Sequence, residues 1–208
     1  MEEKDIIRIF ERTGAILEGH FVYTSGKHGR IYVNKDFLYM FVLKVKLLCK
    51  IIAEHFEDKN IELVAGPAIG GVALTQWIAF ALMQLTGKEV LAVYSEDGPN
   101  NTKIFKRGYD KHIKGKPVLI AEDITTTGGS VKKTVEAVEA LGGIVMGVGL
   151  LWNRGAITSQ DLGVPEVFSL VNVTFEAFDE EECPFCAQKI SINTNVGKGR
   201  EYLAKKAQ

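Results

Sequence analysis

The spacing of apolar and polar residues differs from one segment of this chain to the next, and each spacing predicts a helix or a strand. Between positions 43 and 56, apolar residues recur at helical spacing with lysines between them, which predicts a helix with one buried face. Upstream, the pattern predicts a short helix over 5–12 and extended segments over 21–33 around a glycine-containing turn. We interpret residues 1–40 as an N-terminal appendage to the fold that follows.

Downstream of position 56, short apolar runs alternate with loops and helical patterns. The predicted strands cover 61–65, 90–94, 117–121 and 144–152. The helical pattern at 72–84 is apolar almost all round, so we expect it to be covered on several sides, whereas 131–141 has one apolar stripe. This alternation predicts an α/β fold with an open, mainly parallel sheet flanked by helices.

The stretch between positions 96 and 116 has no clear periodicity. Loops of about twenty residues in compact domains are usually functional or mobile, so we interpret this one as a candidate lid. Trp77 and Trp152 lie in apolar runs and are predicted to be in the core.

Composition and charge narrow the class of protein. The 208 residues are 46% hydrophobic and 25% charged, which is ordinary for a globular domain and excludes a disordered or coiled-coil chain. We expect one domain over 1–208, with an N-terminal segment over 1–40, a core over 41–175 and a C-terminal appendage over 176–208. The net charge of −1 disfavours general nucleic-acid binding.

The location of the protein follows from three further features. The N-terminus is acidic, the apolar runs are shorter than the roughly 20 residues of a membrane span, and there are only three cysteines. Together they predict a cytoplasmic protein in a reducing compartment.

Three glycine-containing loops follow predicted strands, at 66–71, 125–130 and 153–155. Because ligands of open parallel sheets bind outside the carboxyl ends of the strands, we expect these loops to form one site. The strongest segment is VLIAEDITTTGGS at 118–130. Its glycines, its hydroxyls and the start of a helix predict a cradle for a phosphate.

Two carboxylates, Glu122 and Asp123, stand directly before this cradle. They would repel a phosphate alone, but they can bind a diol or a magnesium ion, so a phosphorylated sugar fits both parts of the segment. An acidic strand end followed by an ordinary capped turn is the alternative. The fingerprints of nucleoside triphosphate and dinucleotide sites are missing, and a glycosidase pair is disfavoured because adjacent side chains on a strand point to opposite faces.

The histidines and cysteines show no complete metal-site pattern. Four histidines share no ligand spacing, and packing or surface roles are expected for all of them: His20, His28, His55 and His112. Cys183 and Cys186 have the spacing of half a zinc site, but only Cys49 remains to help and four ligands are normally required. A zinc site is therefore not predicted.

The 118–130 segment resembles the phosphoribosyl pyrophosphate motif of the type I phosphoribosyltransferases. Within that family the chain is similar to the orotate phosphoribosyltransferases, on the basis of further segments at 19–28, 32–35, 66–71, 106–109 and 153–154. The resemblance covers about residues 10 to 200 and implies the fold of that family, with 1–40 as a small hood.

The resemblance implies a role for each matching position. Glu122 and Asp123 would hold the ribose hydroxyls of the donor, with Asp123 also among the catalytic residues. The rest of the donor-binding loop comprises Ile124, Thr125, Thr126, Thr127, Gly128, Gly129 and Ser130. The pyrophosphate would face Ala68, Ile69, Gly70 and Gly71, where this family often has a cis peptide between the first two. Thr126 and Arg154 would contact orotate.

The chain departs from the family pattern in the lid. It reads Ser95-Glu96-Asp97-Gly98-Pro99 where family members commonly have a basic residue pair. The resemblance therefore implies catalytic lid cations without saying which one acts. The candidates are Lys103, Lys106 and Arg107, followed by Lys111 and His112.

The implied reaction transfers ribose 5-phosphate from phosphoribosyl pyrophosphate to orotate, giving orotidine 5′-monophosphate and pyrophosphate in pyrimidine nucleotide synthesis. The resemblance also implies Mg²⁺, held mainly through the donor and not by direct protein ligands, and a homodimer without nucleic-acid or membrane partners. Two alternatives stay open. One is a phosphoribosyltransferase for another base such as a purine, and the other is a non-catalytic regulator that senses nucleotides on the same fold.

Overall fold

A computed structural model describes residues 1–206 and divides them into two compact units. The sheet unit, as we call it, comprises Met1–Ile6 and Phe41–Val173. The hairpin unit joins Ile7–Met40 to the C-terminal residues from Thr174 onward.

The helices and strands alternate through most of the chain. In chain order the α-helices are α1 (Glu3–Arg12), α2 (Lys35–Tyr39), α3 (Val42–His55), α4 (Gly70–Thr86), α5 (Gly129–Ala140), α6 (Ser159–Leu162), α7 (Pro184–Ala187) and α8 (Gly199–Lys206). The strands are β1 (Ile16–Val22), β2 (His28–Val33), β3 (Leu63–Pro67), β4 (Leu91–Asp97), β5 (Lys103–Ile104), β6 (Pro117–Thr125), β7 (Ile144–Asn153) and β8 (Val167–Val171).

The sheet unit contains a six-stranded sheet with the strand order β5-β4-β3-β6-β7-β8. Neighbouring strands are parallel except for β4 and β5, which are antiparallel. This confirms the predicted α/β fold with a mainly parallel sheet. All four predicted strands are present, whereas β8 was not predicted, although four of its five residues, VFSLV, are apolar.

Helices cover both faces of this sheet. A Cβ added to Gly149 of β7 would lie 2.5 Å from Ile52 of α3, so the glycine lets this helix approach the strand closely. Val148 and Leu150, the neighbours of Gly149, point to the opposite face, where they form a core with Val131 and Val135 of α5. The apolar stripe predicted for 131–141 is therefore the face of α5 that packs against the sheet.

Two sequence predictions about apolar side chains had different outcomes. Trp152 is buried, and its Nε1 donates a hydrogen bond to the Val173 carbonyl over 2.8 Å, which confirms its place in the core. The expectation that α4 is covered on several sides is wrong. Trp77 is only half-buried, Phe80 is 42% exposed and Met83 is 40% exposed, because the sheet and α3 cover only part of this helix.

The hairpin unit is built on the antiparallel pair β1 and β2, in which Val22 lies opposite His28. Isolated bridges join His20 to Ile192 and His28 to Phe178, so the C-terminal segment is attached to both strands by backbone hydrogen bonds. Within residues 1–206, no helix has both the length and the apolar character required to cross a bilayer.

Candidate active site

The carboxyl ends of β3, β6 and β7 meet at one edge of the sheet. All five residues of β3 are buried, as are most residues of β6 and β7. Strands buried on both faces in this way read as continuous apolar runs, so the polar residues at their ends stand out. The loops that follow these strands are the three predicted to form one site.

The two carboxylates at the end of β6 are buried, with Glu122 at 7% and Asp123 at 2% exposure. Local backbone groups orient both of them. Glu122 Oε1 accepts a hydrogen bond from the Asp123 amide over 3.1 Å, and Asp123 Oδ1 accepts one from the Ile124 amide over 2.6 Å. Both carboxylates are therefore held in place by the backbone at the end of the strand.

The loop between β6 and α5 forms a tight turn with polar groups on its outside. Thr125 is buried, and its Oγ1 accepts a hydrogen bond from the Gly128 amide over 3.1 Å. Gly128 has a φ of 73°, a conformation that favours glycine, and directly precedes the helix. Thr126, Thr127 and Ser130 are exposed there, beside the amides at the helix start. These groups can bind an anion.

The loop between β3 and α4 lies directly beside the end of β6. A Cβ added to Gly66 would lie 2.5 Å from the carbonyl oxygen of Ala121, so only a glycine allows this approach. The Ala68–Ile69 peptide is cis, as the resemblance implies, and the Ala68 amide donates a hydrogen bond to the Ser95 carbonyl over 2.8 Å. The Ile69 side chain is 89% exposed. Residues 68–71 have no polar side chains, so only their backbone can offer hydrogen bonds to a ligand.

The end of β7 is hydrogen-bonded to the loop between β6 and α5. The Arg154 amide donates a hydrogen bond to the Thr125 carbonyl over 2.8 Å. A Cβ on Gly155 would lie 1.6 Å from the Thr126 carbonyl oxygen, so the backbones touch at this point. Arg154 is half-buried and its Nε atom is buried, unlike a surface arginine on a connecting turn.

The candidate lid is more ordered than predicted. The segment 96–116 was expected to lack regular structure, but β4 continues to Asp97 and pairs with β5 in a hairpin, where Glu96 lies opposite Ile104. Asn100 and Asn101 adopt positive φ angles in the turn. A two-residue strand is too short to show a period, so this hairpin is not visible in the sequence pattern.

The three predicted catalytic cations form ion pairs on this hairpin. Lys103 Nζ lies 2.6 Å from Asp97 Oδ1, and its side chain is only 9% exposed. Glu96 takes the other two cations, with Lys106 Nζ 3.2 Å from Oε2 and Arg107 Nε 3.0 Å from Oε1. The acidic residues that depart from the family pattern are therefore the partners of the lid cations.

These ion pairs also affect the ionisation of the acidic residues. The hydrogen bond from Lys106 keeps the pKa of Glu96 below its ordinary value. Desolvation opposes this effect, and the hydrogen bond from Arg107 adds to it. The hydrogen bond and charge of Lys103 lower the pKa of Asp97 in the same way. Both carboxylates are therefore ionised at neutral pH and hold the cations on the hairpin.

Comparison with known proteins identifies the family. Residues 41–183 match the phosphoribosyl transferase domain. An orotate phosphoribosyltransferase from Caldanaerobacter subterraneus subsp. tengcongensis is 37% identical over 194 residues, which cover 92% of this chain and 96% of that protein. The chain belongs to the phosphoribosyltransferase family.

Solved structures of phosphoribosyltransferases share the fold. Orotate phosphoribosyltransferase of Mycobacterium tuberculosis in complex with inorganic phosphate gives a TM-score of 0.65 at 21% identity, covering 81% of this chain and 94% of that one. Its complex with 5-phospho-α-D-ribosyl 1-diphosphate gives 0.62 at 20% identity with the same coverage. Adenine phosphoribosyltransferase from Thermoanaerobacter pseudethanolicus gives 0.58 at 20% identity, covering 78% and 98%. The fold alone therefore does not decide between bases.

Proposed function

We propose that this protein transfers the ribose 5-phosphate unit of phosphoribosyl pyrophosphate to a ring nitrogen of orotate, releasing pyrophosphate and forming orotidine 5′-monophosphate. The observation that carries the proposal is the convergence of three groups at one sheet edge. They are a phosphate cradle after β6, a buried carboxylate pair directly before it, and an arginine bonded through its backbone to the same loop. The near full-length similarity to orotate phosphoribosyltransferases supports it.

The donor would be bound by β6 and the loop after it. In the proposal, the exposed hydroxyls and backbone amides of 126–130 bind the 5′-phosphate, because a helix start provides unpaired N–H groups and a favourable dipole. Glu122 and Asp123 accept hydrogen bonds from the ribose hydroxyls. Both carboxylates already have a local backbone donor, which limits how far they can move when the donor binds.

The pyrophosphate of the donor would lie against the loop from Ala68 to Gly71. This loop offers backbone amides and two glycines but no acidic side chain, so it suits an anion and not a metal cage. We therefore propose that Mg²⁺ is held mainly through the donor's own oxygens. Bound there, it supplies positive charge that stabilises the leaving pyrophosphate.

The base would be selected by Arg154 and Thr126. Orotate differs from other pyrimidines by a carboxylate, and a guanidinium can donate two parallel hydrogen bonds to it. Gly155 fixes the backbone of Arg154 beside Thr126, so both residues can contact one ligand.

The transfer needs no nucleophilic side chain. Positive charge develops on the ribose ring and negative charge on the leaving pyrophosphate, so the side chains act by positioning both substrates and by stabilising these charges. Closure of the β4–β5 hairpin with Lys103, Lys106 and Arg107 would add positive charge near the pyrophosphate and exclude water.

A homodimer and a cytoplasmic location complete the proposal. The outer face of α3 and α4 exposes Leu43, Phe80 and Met83, with Trp77 half-buried beside them, and we assign this face to a second copy of the chain. The small number of cysteines, three in 208 residues, supports a reducing compartment.

The test is pyrophosphate release by the purified protein with phosphoribosyl pyrophosphate, Mg²⁺ and a panel of bases that includes orotate, uracil, adenine and hypoxanthine. We expect release with orotate only. Release with a purine alone would support the fold and the donor site but overturn the assignment of the base. Tight binding of phosphoribosyl pyrophosphate without turnover of any base would favour the alternative of a non-catalytic regulator that senses nucleotides.

A further inference from the structure

Four side chains of the hairpin unit form a cluster that contains none of the candidate active-site residues. They are His20 in β1, His28 at the start of β2, and Cys183 and Cys186 around α7. One possible ligand atom from each lies within 4.8 Å of the others. His20, His28 and Cys183 are almost completely buried, at 2%, 0% and 1% exposure. The expectation that only Cys49 remains to help the cysteine pair is therefore wrong, because two histidines lie beside it.

The distances between the four side chains approach those of a tetrahedral metal site. Cys186 Sγ lies 3.3 Å from His28 Nδ1 and 3.7 Å from His20 Nε2, and Cys183 Sγ lies 3.6 Å from the same Nε2. Bond lengths of roughly 2.0–2.1 Å to nitrogen and 2.3 Å to sulfur give ligand separations of about 3.3–3.8 Å in a tetrahedron. The two histidines are closer, with 2.8 Å between His20 Nε2 and His28 Nδ1.

Hydrogen bonds alone do not account for this arrangement. His20 Nε2 is the shared neighbour of His28 Nδ1 and both sulfur atoms. If His28 Nδ1 donates its hydrogen to His20 Nε2, neither thiol can use that lone pair. If His28 Nδ1 instead accepts a hydrogen bond from Cys186, two nitrogen lone pairs face each other over 2.8 Å. A cation at the centre accepts the lone pairs of all four side chains at once.

The tautomer of His20 is set by a backbone group. Its Nδ1 lies 2.8 Å from the Ile190 carbonyl oxygen, which can only accept, so Nδ1 carries the hydrogen. The lone pair of Nε2 therefore points into the cluster. A backbone carbonyl on the far nitrogen is the usual way in which proteins orient a histidine that binds a metal ion.

The surrounding chain explains what such a site would stabilise. The bond from the His28 amide to the Phe178 carbonyl and that from the Asn193 amide to the His20 carbonyl, both 2.8 Å, attach the two ends of a C-terminal loop to the hairpin. Between residues 174 and 206, Cys183 is the one buried apolar side chain. Segments with so little apolar core usually depend on a disulfide or a metal ion.

We propose that His20, His28, Cys183 and Cys186 form a closed structural Zn²⁺ site that anchors the C-terminal segment to the β1–β2 hairpin. Two nitrogens and two thiolates in a tetrahedron are typical of zinc, and four protein ligands leave no open position for catalysis. The site is independent of Mg²⁺, which prefers oxygen ligands.

The first test measures the metal content of the full-length protein, purified with a phosphine reductant and without chelators. Mass spectrometry of the metals should find about one zinc ion per chain. Chelator-treated protein refilled with Co²⁺ should show the intense visible bands of tetrahedral cobalt and a thiolate-to-metal charge-transfer band. These readouts need neither enzymatic activity nor a variant that folds.

The second test uses a matched pair of cysteine variants. Cys186→Ser should weaken zinc binding on the order of a hundredfold in competition with a colorimetric chelator. Cys49→Ser, which changes a buried cysteine in α3 outside the cluster, should retain full zinc content. Strong chelators should lower the melting temperature of the wild type and of Cys49→Ser but not that of Cys186→Ser.

Three results would overturn the site. They are wild-type protein that contains no zinc and binds neither Zn²⁺ nor Co²⁺ after reduction, a cobalt spectrum without a charge-transfer band, and Cys186→Ser with unchanged zinc affinity. Pyrophosphate release with orotate is measured separately, so failure of the zinc site and failure of the proposed activity can be distinguished.

Discussion

Arg154 combines a half-buried side chain with a backbone held by its neighbours. Its amide is bonded to Thr125, and Gly155 leaves no room for any larger residue beside Thr126. Asn153 also braces this turn, since its side chain donates to the Ile157 carbonyl over 2.8 Å and accepts from the Ile157 amide over 3.0 Å. A guanidinium on such a fixed backbone can distinguish a carboxylate-bearing base from a neutral one.

We therefore predict that Arg154→Ala lowers orotate affinity by about 3 kcal/mol, roughly a hundredfold, while donor affinity stays close to that of the wild type. Arg154→Lys should recover only part of the loss, because an ammonium cannot donate two parallel hydrogen bonds. Calorimetric titration of each ligand separately measures both effects. Equal orotate affinity in the wild type and in Arg154→Ala would exclude the arginine as the base-selecting residue.

The carboxylate pair leads to a second prediction at the residue scale. Glu122→Gln with Asp123→Asn should reduce donor affinity on the order of a hundredfold, because two charged acceptors for the ribose hydroxyls are lost. The fold should survive with unchanged or slightly higher stability, since the amide oxygens still accept the backbone hydrogen bonds and a buried amide costs less free energy than a buried carboxylate.

Donor titration and thermal unfolding of the double variant measure these two effects. Glu136→Gln, an exposed change on α5, is the matched control and should behave as the wild type. A double variant that unfolds, or that binds the donor normally, would contradict the ribose-binding role.

At the scale of elements, the β4–β5 hairpin holds its cations by ion pairs instead of leaving them free. Exposed ion pairs contribute little to stability, so those of Lys106 and Arg107 with Glu96 can be exchanged for a stronger anion such as pyrophosphate. Lys103 differs, because its side chain is mostly buried beside Asp97. The hairpin is thus anchored through Lys103 and has two more accessible cations further along the chain.

We predict that alanine at Lys103, Lys106 and Arg107 in turn will identify one residue whose loss lowers kcat on the order of a hundredfold with a smaller change in KM. A charge that acts only in the transition state has this kinetic signature. Steady-state kinetics with orotate and the donor provide the measurement. Lys114→Ala, an exposed lysine just after the hairpin, serves as the control.

If all three alanine variants are nearly as active as the wild type, the catalytic cation lies elsewhere, with Lys27, Lys35 and Lys111 as the remaining candidates. Glu96→Gln tests the ion pairs directly. Because it frees Lys106 and Arg107 from a competing carboxylate, it should tighten binding of pyrophosphate.

At the scale of the whole molecule, the exposed apolar face of α3 and α4 argues for self-association. The Trp77 and Phe80 rings contact each other edge to face, and Lys46 lies over the Phe80 ring, so the two helices form one continuous surface. Leu43, on the same helix as Lys46, is 78% exposed. Such a patch is uncommon on a monomer.

We predict a dimer at micromolar concentration, and we expect Leu43→Glu with Phe80→Glu to shift it to monomer by placing unpaired charges in the interface. Sedimentation velocity of the wild type and the variant measures this directly. Ile144→Glu changes an equally exposed apolar residue at the start of β7 and should leave the dimer intact. A wild type that sediments as a monomer would contradict the assignment of this face.

Local patterns predicted much of the fold and the donor loop. The four main strands and the helices between them follow from periodicity, because a residue's spacing along a strand or helix decides which face it presents. The phosphate cradle at 118–130 could also be predicted from the sequence, because its carboxylates, hydroxyls and glycines are neighbours along the chain. The two-residue strand β5 was beyond this approach because it is too short to show a period.

Contacts between distant residues were decided only by the tertiary structure. Periodicity indicates that one side of a helix is buried but not how much of the other side is covered, so the exposure of Phe80 could not be predicted. The partners of Lys106 and Arg107 depend on the hairpin that brings Glu96 back to them. His20 and Cys183 are 163 positions apart, and they meet only because the C-terminal segment is bonded to the β1–β2 hairpin. The sequence by itself thus determined the sheet and the chemistry of its donor loop, whereas chain folding over long separations determined the lid's ion pairs and the zinc ligands.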